Sequence, residues 1–242
     1  MLDRVGIVSG VNHHLVRHRL VELLLLFLCF YLPGFLGGGQ DSADLPRYMI
    51  QYISIAVPQT LLILYILWIQ KEPGLQFFGL VGIKLVDLLQ GVLLVVGLLA
   101  VFFLVGAFTT LLPAAARELF NSGFRWTLPV ALRPGWLLIS MFFCLVTGYR
   151  EELFYRAYLL TRFSELGLAA PLAVAASSIL FAFGHMYQGI GGVAYALVQG
   201  VVFSFVFLRK KNLHTLAAAH AIYNFCILII GSHSRALIVL TN

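Results

Sequence analysis

The chain has 242 residues, of which 61% are hydrophobic and only 11% charged, with a net charge of +6. A soluble domain of this length is usually about 45–50% apolar with about 25% charge. The composition, with a mean hydropathy of +0.95, therefore excludes a soluble globular protein and fits an integral membrane protein. In that setting the positive balance is loop charge that sets topology, not a nucleic-acid signal.

A spanning helix needs about 20 mostly apolar residues. The runs that qualify, in chain order, are Leu20–Leu36, Tyr48–Ile69, Leu85–Leu112, Gly135–Leu160, Leu168–Tyr187, Gly192–Leu208 and Leu213–Ile230. The predicted fold is all-α: a polytopic transmembrane helical bundle of seven spans, or eight if the long third or fourth run breaks in two. The first run follows Arg4, Arg17 and Arg19 and is longer than a signal-peptide core, so it reads as a span. Breakers mark the joints at Gly37-Gly38-Gly39, Glu72-Pro73-Gly74, Arg133-Pro134-Gly135 and Gly189 to Gly192. The tail Ala236–Leu240 is too short to cross. The chain reads as a single membrane domain, 1–242, with N-terminal spans over 1–134 and a core over 135–230.

Arg4, Arg17, Arg19, Lys71, Lys84, Arg162 and the Arg209-Lys210-Lys211 triplet fall on one side of this topology. Arg47, Arg117, Arg125, Arg133 and Arg235 fall on the other. The bias predicts a cytoplasmic N-terminus, in the cell membrane. Arg117–Arg133, with Glu118 and Trp126 beside Leu119, Phe120 and Phe124, reads as an interfacial amphipathic piece. Cys29, Cys144 and Cys226 are scattered through apolar runs, so they read as free thiols without disulfide or zinc spacing.

The fourth run carries Arg150, Glu151, Glu152 and Arg156 at lipid depth. Each such charge costs roughly 2.5–3.5 kcal/mol at a helix centre, so they must pair or face a wet cavity. Glu152 and Arg156, four apart, share a helical face as a favourable pair. Glu151 lies about 100° around the helix and stacks over Tyr155. An unpaired carboxylate in a low-dielectric place suits a general base; Arg150 is the residue that could pair with Glu151 instead. Two further polar pairs recur at four-residue spacing: Phe181 and His185 in the fifth run, His220 and Asn224 in the seventh. Taken singly, the Glu152–Arg156 pair reads as structural, Phe181 as core packing and Asn224 as interhelical glue. Their convergence on the last four spans points to a site.

Together EELFYR (Glu151–Arg156), FAFGH (Phe181–His185) and HAIYN (His220–Asn224) resemble the EExxxR, FxxxH and HxxxN motifs of the CPBP family. These are the CAAX proteases and bacteriocin-processing enzymes, intramembrane glutamic endopeptidases. The resemblance covers about residues 135–230. It implies that Glu151 and His185 activate a water for attack on a peptide carbonyl, and that His220 and Asn224 form the oxyanion site. It gives Glu152 and Arg156 a supporting role. The implied partners are membrane lipids and a membrane-associated or prenylated peptide or protein substrate, with no nucleic acid. A CAAX tail is the family's best-known substrate, and peptide maturation, bacteriocin self-immunity and signalling-peptide processing stay open beside it. No cofactor is expected. Two histidines and a glutamate could hold zinc, but HExxH is absent and the resemblance points to metal-independent chemistry.

Two other classes compete. A proton-coupled transporter would also bury carboxylates and histidines, although no internal repeat is present. A non-catalytic immunity or scaffold protein would use the same fold to bind a partner helix.

Overall fold

The structure is a computed structural model and describes residues 13–36, 45–69, 74–80, 82–122 and 133–240. Among these residues the secondary structure is entirely helical: α1 (His13–Leu36), α2 (Leu45–Ile69), α3 (Leu85–Thr109), α4 (Ala114–Ser122), α5 (Leu137–Glu152), α6 (Leu160–Glu165), α7 (Ala170–Phe183), α8 (Gly189–Lys210) and α9 (Leu213–Leu240). Among the described residues four helical segments are long and apolar enough to cross a membrane: Leu45–Ile69, Leu85–Thr109, Met186–Lys210 and Leu213–Ile230. Ala170–Phe183 is a shorter apolar helix. Outward-facing side chains on α3, such as Leu85, Leu93 and Phe103, are apolar and exposed, as a lipid-facing surface requires. The chain is an all-α integral membrane protein.

The fourth run differs from a plain helix. Between α5 and α6, Leu153–Leu159 form a π-helical segment, in which the Leu160 N–H reaches back five residues to the Tyr155 carbonyl. That carbonyl also accepts the Ser177 hydroxyl at 2.7 Å, so α7 is tied to the widened turn. Such turns inside α-helices are rare and are frequently found at functional sites. Every residue of the segment is buried. Phe30 of α1 stacks on Phe154 with centroids 4.0 Å apart.

The fifth run ends earlier than its apolar length suggests. Its α-helix stops at Phe183, and a 3₁₀ turn over Met186–Gln188 links it to α8. The expected break at Gly189–Gly192 lies inside the first turn of α8. Gly189 makes the junction with φ +78°, a value open to glycine and strained for other residues. The tail from Ala236 is not a separate piece, because α9 runs on to Leu240. Residues 117–122 of the expected amphipathic piece lie in α4, where Arg117 and Glu118 are exposed while Phe120 packs edge-on to Tyr195 of α8 at 5.9 Å. The breaks at Gly37–Gly39 and Glu72-Pro73, and Phe124 to Trp126, lie outside the described residues. Cys29, Cys144 and Cys226 are free thiols, Cys144 buried and the others half-buried.

Close helix contact positions the core. α5 packs chiefly on α9, α7 on α8, and α3 on α9. Without a hydrophobic drive between helices in lipid, small residues set the approach. At Gly148 an added Cβ would lie 2.7 Å from the Ala217 carbonyl oxygen and 3.4 Å from the His220 Cβ. Gly148→Ala is therefore expected to cost about 1–3 kcal/mol by overpacking, read as a lower unfolding midpoint in detergent. Gly97, with nothing within 4 Å of such a Cβ, should accept alanine without that loss.

Candidate active site

Glu152 is fully buried, with one carboxylate oxygen hydrogen-bonded and the other in ion-pair contact only. Its Oε2 lies 3.2 Å from the Arg156 Nε, and its Oε1 lies 2.7 Å from His220 Nδ1. An ionised carboxylate only accepts, so Nδ1–H is the donor of that bond, a tautomer assigned from its partner. Arg156 is also fully buried. Its guanidinium sits over the Phe181 ring at 4.4 Å, with the Phe203 and Tyr155 rings each at 5.7 Å. Burying a charge is tolerable only with a counter-ion or equivalent partners; here a carboxylate lies on one side and π faces on the others, while the guanidinium nitrogens make no hydrogen bond.

Glu151, one residue earlier at the end of α5, has a different environment. Its Oε2 is buried without a hydrogen bond, 3.7 Å from His220 Nε2. Its Oε1 lies 3.8 Å from the Arg150 NH1. Arg150 spends its donors elsewhere, on Gln59 Oε1 at 2.6 Å, the Tyr52 hydroxyl at 3.1 Å and the Phe30 carbonyl at 3.3 Å. The two adjacent glutamates therefore differ: Glu152 has a hydrogen bond from His220 and an ion pair at 3.2 Å, and Glu151 has charged or titratable groups near it but none in hydrogen-bond contact.

His185 lies just past the end of α7. Its Nδ1 is 2.8 Å from the Phe181 carbonyl; a carbonyl only accepts, so Nδ1 donates and Nε2 keeps the lone pair in the neutral ring. Phe181 joins the two histidines, its centroid 4.5 Å from His185 and 6.0 Å from His220. Tyr155 closes the cluster edge-on to Phe181 at 5.1 Å. The structure thus brings Glu151, Glu152, Arg156, Tyr155, Phe181, His185 and His220 into one contiguous group. Asn224 lies one turn beyond His220 on α9, half-buried. Among the described residues its amide makes no hydrogen bond, and no group of three His, Cys, Asp or Glu side chains gathers to hold a metal.

Two features escape a sequence reading. Gln59 and Tyr52 hold Arg150 from α2, more than ninety residues away in sequence; their only signal is polarity within an apolar run. Arg162, which reads as a loop cation, is fully buried in a second ionic cluster. It contacts Glu165 at 2.7 Å and Glu22 at 3.3 Å, while the Tyr158 hydroxyl donates to Glu22 at 2.8 Å. This cluster fastens α1 to α6 and to the π-helical segment.

The fold and this cluster define a membrane protein with a buried carboxylate–histidine site. Residues 133–226 match the sequence model of the type II CAAX prenyl endopeptidase Rce1-like family. That segment, which holds all three motifs, is similar to the CAAX proteases. No curated protein and no solved structure matches the chain.

Arg156→Met leaves Glu152 buried beside His220 without its cation. Removing one partner of a buried pair costs about 3–5 kcal/mol, expected as a large drop in the unfolding midpoint in detergent. The double variant Arg156→Met/Glu152→Gln should recover part of that loss, because no unpaired charge remains.

Proposed function

We propose that the protein is an intramembrane endopeptidase that cuts a peptide bond in a membrane-associated, prenylated substrate of CAAX type. The observation that carries this reading is the buried Glu151 Oε2, which makes no hydrogen bond and lies 3.7 Å from His220 Nε2, while its neighbour Glu152 has an ion pair with Arg156 and a hydrogen bond from His220. In native proteins a buried acceptor left unmade calls for a reason, and accepting a proton from an attacking water is one.

In this mechanism Glu151 and His185 share the water. His185 keeps Nε2 as an acceptor because its Nδ1–H is committed to the Phe181 carbonyl. The water's proton passes to these groups, the oxygen attacks the scissile carbonyl, and negative charge develops on the carbonyl oxygen. Asn224 supplies an N–H donor to that oxygen. His220 joins it through Nε2–H when doubly protonated, since its Nδ1–H already donates to Glu152. Collapse of the tetrahedral intermediate expels the amine, which takes up the proton. Glu152 and Arg156 hold His220, and Phe181 and Tyr155 wall the site. The seven apolar runs serve as spans, with the N-terminus cytoplasmic in the cell membrane and lipid surrounding the bundle.

The chemistry proposed needs no metal.

The test is cleavage of quenched-fluorescent peptides, prenylated CAAX peptides included, by the purified full chain in detergent. Glu151→Gln and His185→Ala should each lose about 10²–10⁴ in kcat, and Asn224→Ala about 10²–10³. Activity should survive a strong chelator; chelator-sensitive cleavage would move the reading to zinc. Full activity in Glu151→Gln would sink it altogether.

A further inference from the structure

Gln59 sits next to Pro58 in α2 and is buried. Both ends of its amide are used: Nε2 donates to the Cys29 carbonyl at 2.6 Å, and Oε1 accepts from Arg150 Nε at 2.6 Å. The orientation is fixed by its partners, because a carbonyl needs a donor and a guanidinium needs an acceptor. The Cys29 carbonyl is available for a simple reason. In a continuous helix it would accept from the residue four positions on, which is Pro33 and has no N–H. The amide of Gln59 fills that gap in α1 and presents its oxygen to α5.

Arg150 is thereby drawn toward α1 and α2. Its guanidinium lies over the Phe30 ring at 4.6 Å and the Tyr52 ring at 5.5 Å. The nitrogen that bonds the Tyr52 hydroxyl, NH1, is the one 3.8 Å from Glu151 Oε1. A small swing of the side chain would turn that 3.8 Å ion-pair contact into a hydrogen-bonded one and occupy the carboxylate. Arg150 thus ties α5 to the two N-terminal helices while threatening its own neighbour.

We infer that Gln59, with Tyr52, is a positioning residue that keeps the Arg150 guanidinium out of hydrogen-bond contact with Glu151. The inference rests on Glu151 acting as the base. It assigns part of the active site to α1 and α2, helices outside the segment that matches the protease family.

The test compares Gln59→Leu with Gln59→Leu/Arg150→Met in the purified full chain, using the prenylated CAAX peptide. With its acceptor gone, Arg150 should turn to Glu151 and lower kcat about tenfold, a fraction of what a general base contributes, with KM little changed. Removing the guanidinium in the same background should then raise kcat again. A structural role for Gln59 gives the opposite order, since the double variant loses more packing than the single one. A double variant no faster than Gln59→Leu overturns the inference. If Gln59→Leu yields no folded protein, Tyr52→Phe with and without Arg150→Met reads the same comparison, with the same rescue expected and its absence decisive. Glu151→Gln is run alongside, so that retained activity there exposes a wrong base separately from a wrong positioning residue.

Discussion

A charge placed at lipid depth must find its opposite inside the protein, and much of this molecule follows from that need. Glu152, Arg156 and His220 satisfy it as a chain of contacts between 2.7 and 3.2 Å. Each member then constrains something else. Arg156 is lined by aromatic rings from three elements, so α7 and α8 must pack where Phe181 and Phe203 can reach it. His220 is turned so that one nitrogen meets Glu152 and the other points at Glu151. Arg162, Glu22 and Glu165 repeat the solution at the α1–α6 contact. In a low-dielectric surrounding neither Glu152 nor Arg156 can lose its charge without stranding the other.

The two clusters lie on one continuous rod, α5 to α6, and the helices around it divide the labour. α9 brings His220 and Asn224 and comes close enough because position 148 has no side chain. α7 ends at the residue before the His185 turn, so that imidazole leaves the helix and folds back on the last carbonyls. α1 and α2 bring no motif residue, yet they accept every hydrogen bond that Arg150 makes among the described residues.

Much of the site was legible because its residues are expensive where they stand. Charges and histidines inside apolar runs, recurring at four-residue spacing, announce themselves, and Glu152–Arg156 forms as that spacing predicts. The contrast between a paired Glu152 and an uncommitted Glu151 also follows from helical geometry. The rest depends on partners distant in sequence. Nothing near Arg150 indicates Gln59, and nothing near Arg162 separates a loop cation from a buried one until Glu22 is placed beside it. The π-helical segment has no residue signature either, and its tie to α7 is made by Ser177, distant in sequence, at the Tyr155 carbonyl. The early end of α7 was hidden by Phe183 to Tyr187, which read as a continuation of the apolar run.

The π-helical turn also has a rotational meaning. An α-helix advances about 100° per residue, and a turn closed across five residues instead of four takes up one residue more. The rod above Leu153 and the rod below Leu159 are therefore out of phase by about that angle, relative to an uninterrupted helix. Glu151 and Glu152 face α9 while Tyr158 and Arg162 face α1. The segment works as a phase shifter between a reactive half and an anchoring half, letting the protein pack each against its own neighbours without compromise in the other.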